Sequence, residues 1–152
     1  MRGFVERFNG MAQGTSQEDP QALTMELAAF ITGLMERRTG SNEARARLAL
    51  IAFSLFPDPA TSSEDHAMWL HELTIGIRRI VDTARTYQER GDFEDAVRTH
   101  HVARQLADAI PAVPGASASE EGMISGLRAT VETTALALVN ALVAQAMAVI
   151  AQ

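Results

Sequence analysis

Apolar side chains recur along this chain at the spacing of an α-helix, in segments separated by glycine, proline and short polar residues. At 100° per residue, positions i, i+3, i+4 and i+7 fall on one face of a helix. The pattern predicts six helices, over residues 1–12, 20–38, 43–56, 63–90, 92–110 and 119–152. No stretch shows the alternation of apolar and polar residues that is typical of a strand. We therefore predict an all-α, six-helix bundle.

Residues with known capping preferences mark several of the predicted helix ends. Ser41 is suited to the N-cap of the third helix, and Gly91 to the C-cap of the fourth. Asp92 then caps the fifth helix, and Ser119 begins the sixth. The proline-, glycine-, serine- and alanine-rich residues 111–119 form a linker before that last helix. The pattern predicts one α-helical domain over the whole chain, residues 1–152.

The third predicted helix, residues 43–56, is apolar around almost its whole circumference. A helix with this pattern is expected to pack on several sides. The fourth predicted helix carries a narrower stripe, which begins at Trp69 and ends at Tyr87.

Aromatic and methionine side chains are concentrated on three helices that we expect to pack together. Such a group suits an apolar cavity for a small molecule, with histidines supplying a few polar contacts. The candidate ligand-binding residues are Phe30, Leu34, Phe53, Phe56, Trp69, Leu73, Tyr87 and His100. The alternative, in which the same side chains fill a solid core, stays open on spacing alone.

The last predicted helix has an unusual end, because no residue after Glu132 is charged. Large apolar side chains fill about half of its circumference, and alanines occupy much of the rest. A helix that is apolar on all sides must be buried on all sides. We expect one side to face the chain's own core and the other to face a second copy. A membrane span is the alternative, but Asn140 and Gln145 interrupt the run and no basic or aromatic residue flanks it.

The sequence offers no constellation for catalysis or for a metal ion. It has no cysteine, and it has no lysine for a phosphate-binding loop. His66 and His71 are five residues apart, and His100 and His101 are adjacent. Neither pair has the i, i+4 spacing of two metal ligands on one helix face. We therefore expect a protein that is not an enzyme and has no cofactor and no metal site.

The composition of the chain excludes some classes of binding partner and some cellular locations. The chain has 152 residues, 47% of them hydrophobic, and a net charge of −6. An acidic chain repels phosphate, so we expect no direct contact with nucleic acid. All 13 basic residues are arginine, which is typical of a GC-rich bacterial genome. No segment near residue 1 has the pattern of a signal peptide, so we expect a cytoplasmic protein.

Three segments resemble parts of one protein family. In residues 26–60, a helix that ends in two arginines leads into a helix with Ala46, Arg47, Ala49 and Leu50, followed by two prolines. This order is similar to the middle of the effector-binding domain of TetR-type transcription regulators. Residues 71–95 resemble that family's next long helix, and residues 127–149 resemble its closing helix, which is rich in leucine and alanine.

The resemblance implies a homodimer in which the closing helices of two subunits form a four-helix interface. Expected interface residues are Leu138, Ala141, Leu142, Ala144, Gln145 and Ala148. It also implies a small apolar effector among the middle helices, which controls DNA binding by a helix-turn-helix head. That head would precede residue 1, so we expect either an excised effector domain or a homologue without a head. A structural or partner-binding bundle without a small-molecule ligand is the alternative function.

Overall fold

The computed structural model of the chain describes residues 3, 6–7, 9–10, 19–37, 41–55, 63–113 and 116–152. These residues form helices and contain no strand, which confirms the all-α prediction. Five helices have defined bounds: α1 (Pro20–Glu36), α2 (Asn42–Leu55), α3 (Ser63–Arg90), α4 (Phe93–Asp108) and α5 (Ala118–Ile150). Of the helix predicted over residues 1–12, only residues 3, 6–7 and 9–10 are described, and all of these are helical.

The chain divides into two compact units, Met1–Thr39 and Gly40–Gln152. In the first unit, α1 buries an apolar stripe of Leu23, Leu27, Ile31 and Met35, at intervals of one helical turn. Both carboxylate oxygens of Glu26 accept hydrogen bonds from the Arg7 guanidinium, each at 3.0 Å. These hydrogen bonds lower the pKa of Glu26 below its ordinary value. The single domain expected for residues 1–152 stays a prediction.

In the second unit, α3 is the central helix and contacts α2, α4 and α5. Its predicted stripe is correct: Trp69, Leu73 and Ile77 are fully buried along one face. A close approach is made at Gly76, where an added Cβ would lie 2.8 Å from the Cβ of Ala46 in α2. Because glycine has only a hydrogen atom in place of a side chain, Gly76 lets α2 and α3 approach each other closely.

The turn between α3 and α4 is a Schellman motif, as the predicted Gly91 cap requires. Gly91 has φ +82°, in the left-handed region that favours glycine. Its N–H donates to the carbonyl of Gln88, and the N–H of Asp92 donates to the carbonyl of Tyr87. Asp92 occupies the N-cap position of α4, but its side chain makes no capping hydrogen bond there. The backbone geometry of the turn fixes this helix start instead.

The prediction that residues 43–56 pack on several sides was wrong for part of α2. Ile51 and Leu55 are 44% and 50% exposed, whereas the alanines at 46, 49 and 52 are completely buried beside Phe53. Ala46 on this face lies against Gly76 of α3, and Phe53 stacks on His66 of α3. The position of α3, rather than side-chain size, selected the buried face.

Helix α5 begins slightly earlier than the sequence predicts. Ser117, rather than Ser119, is the N-cap, and its hydroxyl accepts a hydrogen bond from the N–H of Glu120. The Glu120 carboxylate accepts the N–H of Ser117 in return, which completes a capping box. A cap at Ser119 would place Gly122 at the third helical position, where no side chain could return that bond.

Candidate functional site

The two faces of α5 differ in burial. One face carries Ile124, Leu127, Val131 and Leu138, which are buried in the second unit. The other carries five large apolar side chains that are between 52% and 84% exposed: Leu136, Val139, Val143, Met147 and Ile150. Their spacing of three and four residues aligns them along one side of the helix. We call these five residues the exposed apolar stripe.

The far end of α5 is exposed on every side. Arg128 donates hydrogen bonds to the carbonyls of Ala107 and Ile110 at the end of α4, and Val131 lies against His100 earlier in α4. The helix therefore runs antiparallel to α4. From residue 143 onward every residue is exposed. Residues 143–150 correspond to about 12 Å of helix at the ordinary rise per residue.

The hydropathy of α5 meets the requirements of a membrane span by length and composition. An 18-residue window within it has mean hydropathy 1.8, and 6% of that window is buried. The core helix of a soluble protein can have the same composition, so this property alone assigns no membrane. The cytoplasmic location expected from the sequence stays a prediction.

The residues predicted for the dimer interface have different environments. Leu138 is buried in the chain's own core, and Ala141 and Leu142 are half-buried. Ala144, Gln145 and Ala148 are exposed. The exposed apolar stripe was absent from the predicted set, although its composition was visible in the sequence. Only the burial of Leu138 reveals that the opposite face is the one left uncovered.

A groove lies between α3, α4 and α5, with a volume of about 230 Å³. Its apolar surface comes from Val81 and Ala84 of α3 and from Ala137 and Leu138 of α5. Its polar lining is formed by Arg85, Gln88, Glu89, His100 and Thr134. We call this the α3–α5 groove.

His100 is the most buried polar side chain of the α3–α5 groove, at 6% exposure. Its Nε2 atom lies 3.0 Å from the carbonyl oxygen of Val131 and 3.2 Å from the hydroxyl of Thr134. A carbonyl oxygen can only accept, so Nε2 carries the proton and donates to Val131. These hydrogen bonds link α4 to α5 and hold the imidazole ring of His100 at the groove wall.

The residues predicted to bind a ligand have different environments in the described part of the chain. Phe53, Trp69 and Leu73 are completely buried, and Tyr87 is half-buried. Phe30 and Leu34, both half-buried, belong to the first compact unit, and Phe56 lies outside the described residues. Of the described members of this set, His100 alone lines the α3–α5 groove.

A second buried histidine lies close to the aromatic residues. His66 is 1% exposed and stacks on Phe53, with ring centroids 4.4 Å apart. Neither ring nitrogen has a hydrogen-bond partner among the described residues. The Oε1 atom of Glu120 lies 3.6 Å from Nδ1, which is too long for a hydrogen bond and makes an ion pair only when the ring is protonated. Unpaired buried nitrogens of this kind destabilise the fold.

Among the described residues, no three histidine, aspartate or glutamate side chains are grouped to hold a metal ion. Comparisons with protein-family models, with curated proteins and with solved structures found no match. The assignment of a function therefore depends on the chain's own geometry.

Proposed function

We propose that this chain is the dimerisation and effector-binding domain of a TetR-like transcriptional repressor, with α5 as the dimer helix. The observation that supports the proposal is the exposed apolar stripe at the uncharged end of a helix whose other face is already buried. Soluble proteins rarely leave a contiguous apolar surface of this kind uncovered. This exposure therefore supports a partner that covers the stripe.

A second copy of the chain is the partner that best fits this surface. A two-fold interface places the same patch on both subunits, so the patch must be complementary to itself. The end of α5 carries no charge, and pairing it with its own copy brings no like charges together. A charged partner would find no complementary charge on this end of the helix.

The apolar area is large enough to support a dimer. Complete burial of one such side chain contributes about 2 kcal/mol, so covering the exposed fractions of the five contributes about 6 kcal/mol per subunit. Two subunits then gain about 12 kcal/mol, which is comparable with the upper estimates of the cost of association. Additional contacts from the half-buried Ala141 and Leu142 would add to this.

In this proposal the chain has no catalytic role and acts in the bacterial cytoplasm. Its effector is a small, mostly apolar molecule. DNA is contacted only by a separate helix-turn-helix head. Effector binding would change the relative position of the two subunits and with it the spacing of the two heads.

Sedimentation equilibrium of the 152-residue chain tests the proposal, with and without vesicles of neutral and anionic lipid. We expect a reversible dimer that does not pellet with vesicles. A monomer at all concentrations contradicts it. A chain that is monomeric alone but pellets with vesicles would instead assign α5 to a membrane, and one that pairs only with a different protein would support the partner-binding alternative.

A further inference from the structure

We infer that the α3–α5 groove binds a small neutral molecule that is mostly apolar and carries one hydrogen-bond donor. This inference rests on the proposed function, because it identifies the groove as the binding site of the effector. The groove itself is formed by a single copy of the chain and does not need the dimer. It also differs from the sequence prediction, which placed the effector among Phe53, Trp69 and their neighbours.

The size of the groove limits the ligand. Its volume of about 230 Å³ equals about eight water molecules at roughly 30 Å³ each. This matches a molecule with one ring or two fused rings. The lining side chains Val81, Ala84 and Leu138 present methyl groups, which favour the flat faces of such a ring.

His100 supplies the hydrogen-bond complement. Both of its hydrogen bonds with described residues use Nε2, which donates to the carbonyl of Val131. In the neutral ring, Nδ1 is then an acceptor without a proton. A ligand that covers this acceptor removes it from water, so the ligand is expected to bring an O–H or N–H group in return.

The charges at the groove favour a neutral ligand over an ion. Arg85 and Glu89 are one turn apart on α3 and carry opposite charges. Arg85 also lies 3.5 Å from the carboxylate of Asp82 in the same helix. An anion would meet the two carboxylates, and a cation would meet the guanidinium, so neither sign gains a net advantage.

The position of the groove connects it to dimerisation. Thr134, Ala137 and Leu138 line it from α5, and the exposed end of the same helix begins five residues later, at Val143. A ligand that contacts α3 and α5 together favours one position of α5 against the bundle. Because α5 is the proposed dimer helix, the ligand would alter the angle between subunits.

Indole and indene are matched probes for this inference, since they have nearly the same shape and only indole has an N–H donor. Amide chemical shifts of the isotope-labelled chain, recorded during titration with each probe, report where each one binds. We expect indole to shift the amides of residues around 81–89, 100 and 134–138. Indene should bind roughly tenfold more weakly, because it leaves Nδ1 of His100 unpaired.

Two variants of exposed alanines on α5 complete the test. Ala137→Leu adds a side chain inside the groove, and Ala129→Leu adds the same side chain at an exposed position about two turns earlier, outside the groove. We expect A137L to weaken indole binding at least tenfold and A129L to leave it unchanged. Equal weakening by both variants, or indole shifts outside the groove, would overturn the inference.

Sedimentation of the same samples separates the two proposals. A dimer that shows no indole shifts at the groove refutes the groove and leaves the dimer intact. A monomer that still binds indole there refutes the proposed function and leaves the groove. Equal affinities for indole and indene refute the hydrogen bond to His100.

Discussion

Substituting Val143 by lysine is the sharpest test of the α5 interface. Val143 is 52% exposed and lies in the middle of the exposed apolar stripe. Lysine is a better helix former than valine, so the isolated subunit should keep α5 intact. In the dimer, the same change places an ammonium group where two apolar helices meet.

The expected loss follows from two contributions. Losing the burial of half a valine side chain removes about 1 kcal/mol per subunit. Desolvating the ammonium adds about 2 kcal/mol, even when the flexible side chain turns its end toward water. Two subunits together lose about 6 kcal/mol, which is on the order of a 10⁴-fold rise in the dimer Kd.

Sedimentation equilibrium over a range of concentrations measures this Kd. Ala129→Lys is the matched control, because Ala129 is exposed about four turns earlier on the same side of α5, outside the stripe. We expect A129K to dimerise like the wild type and V143K to be monomeric, with equal helix content by circular dichroism. If V143K keeps the wild-type Kd, the exposed apolar stripe is not the interface.

Three further predictions concern the fold. Gly76→Ala should destabilise the chain by about 1–3 kcal/mol, because its Cβ would overlap α2; Gly126→Ala, with open space around it, should stabilise by about 1 kcal/mol. His66→Phe should raise the free energy of unfolding by about 1 kcal/mol, since it removes two unpaired buried nitrogens. Urea unfolding measures the stability of the three variants G76A, G126A and H66F. A stabilised G76A or a destabilised H66F would contradict the packing described. In an NMR pH titration, Glu26 should titrate below an ordinary glutamate, and Arg7→Gln should return it to normal. The pKa of Glu26 is lower in the folded chain than in the unfolded chain. The Arg7–Glu26 pair therefore stabilises the fold above the ordinary glutamate pKa, and this contribution is lost as the pH falls through the folded pKa.

The sequence predicts only part of each candidate site. The sequence predicts that the end of α5 is uncharged and that it must be buried. It does not predict which side is exposed, because the helix is apolar all round and its pattern does not distinguish Leu138 from Val139. The two differ only in whether α3 and α4 lie against them. The α3–α5 groove was likewise missed, since its lining comes from three helices and includes Arg85 and Glu89, which spacing assigns to solvent.

By itself, the sequence determined the all-α class, most helix bounds within about two residues, the buried stripe of α3 and the turn at Gly91. These features depend on local properties: helical periodicity, capping side chains and the conformational freedom of glycine. The tertiary structure alone decided which face of α2 is buried, which side of α5 is left uncovered and where the groove lies. Each of these depends on the distance between backbones remote in sequence, such as the approach of Gly76 to Ala46. No pattern within a single helix contains that distance.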